Sequence, residues 1–375
     1  MRVHFQRPQL PPATDIEHYF QLSREARWFS NDGPCARLLS ERLSERLGLG
    51  VECVPVASGT AALMVALRAL TEQASPASRE VVVPSFTYIA TVSAIVWSGF
   101  VPVFVDVDPE HWHVDPASLR AAVDQRGSSL ACLLPCSTFG TAPPAKVRRG
   151  WEEVAREAGL PVLVDSAAGF GSLDEEGQPL GRQGDAEIFS FHATKPFGVG
   201  EGGAVVTREP ELADRVRQLV QFGLDASRSL PGVPGLNAKM SEIHAATGLA
   251  VLDGYEHVLA ARRERAAEIA ARLSPRGFAF QQLSAGSTWQ FVPVLAPDPS
   301  TRDAILRRGQ EVGVELRTYH EALHLMEQLR EHPVVGSLEV TVDLAARILS
   351  LPMANDLDAQ SVDLVCDCVA GAVEV

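Results

Sequence analysis

The chain has 375 residues, of which 46% are hydrophobic and 21% charged, and it carries a formal net charge of -14. That length exceeds the size at which one hydrophobic core stops growing, which predicts two lobes, and the ordinary composition excludes a disordered or fibrous chain. The acidic balance excludes a broad nucleic-acid partner, which would call for clustered Lys and Arg, but leaves room for a nucleotide-sized anion in a local pocket.

Taken from its first residues, MRVHFQRPQLPP lacks the apolar core of a signal peptide. No later apolar run approaches the roughly 20 residues that span a bilayer. The chain therefore reads as cytoplasmic, without a membrane partner. Its six cysteines, at 35, 53, 132, 136, 366 and 368, include no C-x-x-C pair and read as reduced, buried thiols.

Between about residues 50 and 207, short β-rich runs (VECVPVA, VVVP, VPVFVDV, LACLLP, PVLVD, AEIFSF, GAVVT) alternate with helical stretches such as AALMVALRAL and TYIATVSAIVWSG. This alternation predicts βαβ units and a mainly parallel sheet buried on both faces. In such sheets ligands sit at the carboxyl ends of the strands, where several polar or small residues fall here. Ser58-Gly59-Thr60 leads into a predicted helix and reads either as an anion cradle or as a plain helix cap. Tyr88, just after VVVP, is placed either to lie against a flat ligand or to pack in the core. Asp165 ends PVLVD and is followed by small residues; it suits a partner for a pyridinium nitrogen, or an ordinary turn aspartate.

Lys195, in FSFHATK, stands among apolar and hydroxyl side chains before the loop GVGEGG. Desolvation there would lower its pKa and favour Schiff-base chemistry; the alternative is a snorkelling surface lysine. Gly198, Gly200 and Gly203 satisfy G-x-G-x-x-G, but the loop leads into strand-like AVVT, so the dinucleotide-binding reading is rejected. Beyond residue 207 the pattern turns helical, with ELADRVRQLVQFG and a long helix from about Met240 to Leu273 interrupted near Asp253-Gly254 and linking the two lobes. Strand-like WQFVPVL and VELRTY flank helical DAILRRGQEVG in a smaller α+β lobe. His320-Glu321-Ala322-Leu323-His324 matches H-E-x-x-H without its zinc-protease continuation; it reads as two histidines on the face of a short helix, with no metal site.

In order, RWFSNDGPCARLLSERL, ASGTAALMVAL, VPSFTYIATVSAIVWSGFVPVFVDVDPEHWHVDP, FSFHATKPFGVGEGGAVVT and GLNAKMSEIHAATGLAVLD resemble the DegT/DnrJ/EryC1/StrS family of sugar aminotransferases across nearly the whole chain. The resemblance implies an α/β fold of the fold type I class, whose cofactor is pyridoxal 5'-phosphate. A large domain with a central sheet between helices would span 1–250, including an N-terminal segment. The linking helix and a small α+β domain would occupy 251–375.

By this resemblance Lys195 carries the cofactor, Asp165 pairs with its pyridine nitrogen and Tyr88 stacks on its ring. Gly59, Thr60, Ala61 and Ser190 hold the phosphate. Asn237 reaches the phosphate from the neighbouring subunit of a homodimer with shared active sites. His192 falls near the substrate, as do Arg317, Tyr319 and His320 of the small lobe. Ala168 stands where the family carries a polar side chain beside the cofactor's 3-hydroxyl. The family's dehydratase branch has histidine in place of the lysine, so Lys195 favours transamination.

The implied donor is L-glutamate, leaving as 2-oxoglutarate. The combination SFHATK with NAKMSE looks closest to the branch that converts dTDP-4-keto-6-deoxy-D-glucose to dTDP-4-amino-4,6-dideoxy-D-glucose, a step of deoxysugar and natural-product biosynthesis. Alternatives are a C-3 keto-sugar, a keto-cyclitol, or a cofactor-binding regulator without turnover.

Overall fold

Valine-rich runs such as VVVP and VPVFV have no polar alternation, so a strand made of them must be covered on both sides. The computed structural model, which describes residues 2–225, 227–230 and 232–372, shows how this is done. In chain order the first elements are α1 (Ala13–Ala26), α2 (Pro34–Leu47), β1 (Glu52–Val56), α3 (Gly59–Leu70), β2 (Glu80–Pro84), α4 (Ile89–Trp97) and β3 (Val101–Val105). They are followed by α5 (Pro116–Arg126), β4 (Leu130–Leu133), α6 (Ala145–Ala158), β5 (Leu163–Asp165), β6 (Ala186–Ser190), β7 (Gly203–Thr207) and α7 (Pro210–Val220). The chain continues through α8 (Glu242–Leu273), β8 (Val292–Leu295), α9 (Pro299–Val312), α10 (Glu339–Arg347), β9 (Ile348–Leu351) and α11 (Ala359–Ala370).

β3, β2 and β4 pair in parallel, while β5, β6, β7 and β1 form a second ladder in which β7 runs against both neighbours. Parallel bridges from Leu133 to Val162 and from Cys136 to Asp165 join the ladders into one mainly parallel sheet. Alternate residues go to opposite cores. Val81, Val83 and Val205 pack with α3, α4 and α7, whereas Val82 packs with α5 and α6, and Ala204 and Val206 with α2 and α8. The expected α/β sandwich is thus present.

The helix expected to break at Asp253-Gly254 is continuous from Glu242 to Leu273. Glycine costs about 1 kcal/mol in a helix, too little to outweigh a packed flank. Tyr255 and Leu259 are buried beside Gly254, and Asp253 accepts hydrogen bonds from Tyr19 Oη at 2.8 Å and Arg42 at 3.0 Å. The first half of α8 enters the core around α2. Its end, Ala266, Ile269 and Leu273, enters a second core built on β8, β9, α9 and α11. Glu242, at the first turn of α8, also caps α2. That helix starts at Gly33, which has no side chain to offer, and the Glu242 carboxylate accepts the N–H groups of Cys35 (2.7 Å) and Ala36 (3.2 Å).

Two further expectations are corrected. VELRTY is no regular strand; it makes single bridges, Val314 with Val3 and Arg317 with Ser350, so the pairing is too short to propagate. Val3 consequently belongs to the second core, although it was expected with the large lobe. Among the described residues no helix is long and apolar enough to cross a membrane.

Candidate active site

A cavity of about 360 Å³ opens at the carboxyl ends of the parallel strands. Ser58 is the N-cap of α3, its Oγ accepting the N–H of Ala61 at 3.1 Å, so the capping and cradle readings describe one feature. Gly59 and Thr60 line the cavity, with the positive end of the α3 dipole behind them. Gly59 cannot be larger. A Cβ there would stand 2.7 Å from Ser190 Cβ and 3.2 Å from its Cα, and Ser190, ending β6, lines the same wall. Ala61, also expected at the phosphate, lies outside the lining, and its N–H is taken by Ser58 Oγ.

Asp165 ends β5 and is buried at 7% exposure. Its carboxylate accepts Thr91 Oγ at 2.7 Å and the Ala167 N–H at 3.0 Å. Burial pushes its pKa up, while these two donors and the positive charge of Lys195 oppose the rise. Across the cavity Lys195 is half-buried and donates from Nζ to Gln290 Oε1 at 2.9 Å. Desolvation lowers its pKa to about 8, with the Asp165 charge pulling the other way. The snorkelling reading of this lysine is therefore set aside.

Tyr88 stands at the cavity mouth, 54% exposed and edge-on to Tyr319 at 6.2 Å between centroids, so it is not a core residue. Tyr319 and His320 both line the cavity. His320 stacks on Phe139 at 4.6 Å, and burial, helped by the Lys195 charge, drives its pKa down to about 3. It is a neutral imidazole. His324 is elsewhere, its Nδ1 2.7 Å from Ser85 Oγ, and the segment between them holds only a 3-10 turn at Leu323–Leu325. The expected helix bearing both histidines does not form. His192 is exposed at the rim, its Nδ1 2.8 Å from Thr194 Oγ and its Nε2 3.6 Å from Glu201.

Two expected residues stand outside this cavity. Arg317 is turned away, its guanidinium over the Phe5 ring at 5.5 Å and donating to the Leu316 carbonyl at 3.0 Å. Asn237 is exposed and takes a hydrogen bond from Lys239. Ala168 lines the cavity with a methyl group, and its carbonyl accepts Thr288 Oγ. Sequence reasoning missed Thr91, Phe139 and Gln290. Thr91 could have been found, since it lies three residues beyond Tyr88 on the first turn of a helix. Gln290 carried no signal, coming from a segment 95 residues beyond Lys195.

The residues fit pyridoxal phosphate. A glycine that close packing requires lies at a helix N-terminus, and a lysine with a lowered pKa and a buried carboxylate share one cavity with an aromatic ring at its mouth.

The sequence pattern of the DegT/DnrJ/EryC1/StrS aminotransferase family matches residues 13–370. Protein Rv3402c of Mycobacterium tuberculosis strain H37Rv is 34% identical, over 99% of this chain and 90% of its own length. The dTDP-4-amino-4,6-dideoxy-D-glucose transaminase of Shigella dysenteriae is 27% identical over 96% of this chain and 95% of its own. Among solved structures, DesI in the presence of its TDP-sugar product superimposes with a TM-score of 0.86 at 34% identity, covering 100% of this chain and 94% of DesI. With the lysine, the carboxylate and the glycine cradle at the strand ends, this likeness over the full fold assigns the chain to the DegT/DnrJ/EryC1/StrS family, as a pyridoxal-phosphate-dependent sugar aminotransferase.

Proposed function

We propose that the enzyme moves the amino group of L-glutamate to C-4 of dTDP-4-keto-6-deoxy-D-glucose, giving dTDP-4-amino-4,6-dideoxy-D-glucose and 2-oxoglutarate. The placement of Lys195 opposite buried Asp165 in one cavity carries the transamination chemistry. The choice of sugar is supported by the similarity to the Shigella transaminase and to DesI.

In this reading Gly59, Thr60 and Ser190 hold the cofactor phosphate at the N-terminus of α3, where unpaired N–H groups and the helix dipole favour an anion. Asp165 sets its negative charge against the pyridine nitrogen, and Thr91 and the Ala167 N–H keep that carboxylate oriented. Tyr88 lies against the ring. When bound, pyridoxal phosphate supplies an electron sink and carries the amine between the two half-reactions. Lys195 would hold it covalently; desolvation lowers the pKa of its free amine to about 8, which suits that amine to taking and returning a proton near neutral pH as a general acid–base. His192, Tyr319 and His320 border the space left for the sugar. Asn237 serves the active site of a second copy in a homodimer: it sits beside Phe222 and Leu236, apolar side chains exposed on the single chain.

Incubation with L-glutamate and a panel of keto-sugars, with the aminated carbon located by NMR, tests this directly. The expected product carries the amine at C-4. Amination of a 3-keto sugar or a keto-cyclitol alone would overturn the C-4 assignment. A cofactor absorbance unchanged by every amino donor would point instead to a regulator without turnover.

A further inference from the structure

Gln290 reaches the cavity from the segment that leads into β8, on the side of the second core. Its amide is held at both ends. Oε1 accepts from Lys195 Nζ at 2.9 Å, and Nε2 donates to Thr194 Oγ at 3.4 Å. Thr194 Oγ lies 2.8 Å from His192 Nδ1, and His192 Nε2 lies 3.6 Å from Glu201. The direction of this chain is set by its first member. An ammonium can only donate, so Gln290 turns its oxygen to Lys195 and its N–H to Thr194; the Thr194 hydroxyl then donates to His192 Nδ1, as the Thr194 backbone N–H does at 3.3 Å, and Nε2 is left to donate toward Glu201.

No side chain at 168 supplies a polar group to this part of the cavity. The preceding residues of the Gln290 segment bind the same stretch, Thr288 donating to the Ala168 carbonyl. The amide of Gln290 is the one polar side-chain group hydrogen-bonded to Lys195 Nζ among the described residues.

We propose that Gln290 is a positioning residue of the transamination reaction: its amide oxygen accepts the N–H of the Lys195 nitrogen and fixes the direction from which that nitrogen addresses the cofactor and the migrating proton. This rests on Lys195 being the cofactor-bearing lysine. The assignment has an electrostatic consequence. An acceptor at this place favours the protonated nitrogen, in the same sense as Asp165 from β5 and against desolvation. The other titratable groups bordering the cavity are Tyr88, Cys136, His192, Glu201, Tyr319 and His320. Of these, His192 is linked to Gln290 through Thr194 Oγ, and Glu201 follows through His192.

The test uses the holoenzyme in three forms: native, Gln290→Leu and Gln290→Glu. Borohydride reduction and peptide mass mapping first locate the cofactor-bearing lysine. The absorbance of the bound cofactor is then titrated against pH, which reads the protonation of the lysine-bound nitrogen. Gln290→Glu places a carboxylate beside that nitrogen and is expected to raise the midpoint by about one pH unit or more. Gln290→Leu removes the acceptor and is expected to lower it by about half a unit. In the glutamate half-reaction, Gln290→Leu is expected to lower kcat about tenfold with KM little changed, as for an interaction made at the reacting centre.

Opposite shifts support the proposal, because a general loosening of the site would move both variants the same way. Unchanged midpoints, or shifts of one sign, overturn it while leaving the Lys195 assignment intact. A label on another lysine overturns both. Should Gln290→Leu fail to fold, the direction of the Gln290→Glu midpoint alone decides.

Discussion

Glu187 lies on β6 with no exposure, paired in register with Val164, the residue before Asp165. One carboxylate oxygen accepts Ser166 Oγ at 2.5 Å and Gln183 Nε2 at 3.2 Å; the other accepts the N–H groups of Gly181 at 2.7 Å and Gln183 at 3.2 Å. Burial nevertheless pushes its pKa up from 4.5 to about 7, the bonds from Ser166 and the loop acting in the opposite sense. The folded protein thus keeps this proton at pH values where the unfolded chain has lost it. Its contribution to stability is complete below about pH 4.5 and is lost as pH rises through about 7. Glu187→Gln should remove this dependence and be the more stable protein at pH 8, by on the order of 2 to 3 kcal/mol. Urea denaturation of both proteins at pH 5 and pH 8 checks this; parallel pH profiles would reject it. Nothing in AEIFSF marked this residue, since a lone glutamate in a strand reads as facing solvent. Lys195, Asp165 and Gly59 were marked because their neighbours, hydroxyl or small residues at the ends of apolar runs, make sense only at a strand end or a helix start.

At the scale of elements, local signals failed where packing outweighed them. Asp-Gly is a strong turn signal. Within α8 the pair stays helical because Asp253 is bonded to α1 and α2 and because Tyr255 and Leu259 are buried. Gly254 itself meets no atom within 4 Å of where a Cβ would stand. Gly254→Ala should therefore stabilise the protein by about 0.5 to 1 kcal/mol, through helix propensity and the entropy of the unfolded chain. A raised Tm in thermal unfolding is the expected reading, and a loss of stability would mean that the glycine is needed at a bend. H-E-x-x-H misled in the converse way. Its residues have helical spacing, yet His320 is drawn onto the Phe139 ring and His324 onto Ser85, so the intervening backbone takes a single 3-10 turn.

For the whole molecule, the proposed sharing of sites between two copies gives a test that no single-chain property can imitate. Subunits carrying Lys195→Ala and subunits carrying Asn237→Ala should each be inactive alone. Mixed and re-associated at random, half the dimers are hybrids with one site intact, so activity should return to about a quarter of the native level. Activity that stays at the level of the separate variants would place Asn237 outside the neighbouring site.

The sequence by itself determined the α/β class, the mainly parallel sheet and the residues that meet at its strand ends, because these depend on local patterns: continuous apolar runs, a cap before a helix, a polar residue closing a strand. It also carried the family resemblance, through five ordered blocks. Only the tertiary structure decided which of the named side chains share a cavity. It set Arg317 on Phe5 rather than in the site, folded His320 into the aromatic wall, returned Val3 to the far core, and brought Gln290 to Lys195. Each of these depends on contacts between residues far apart in the chain, and no window of sequence contains both partners.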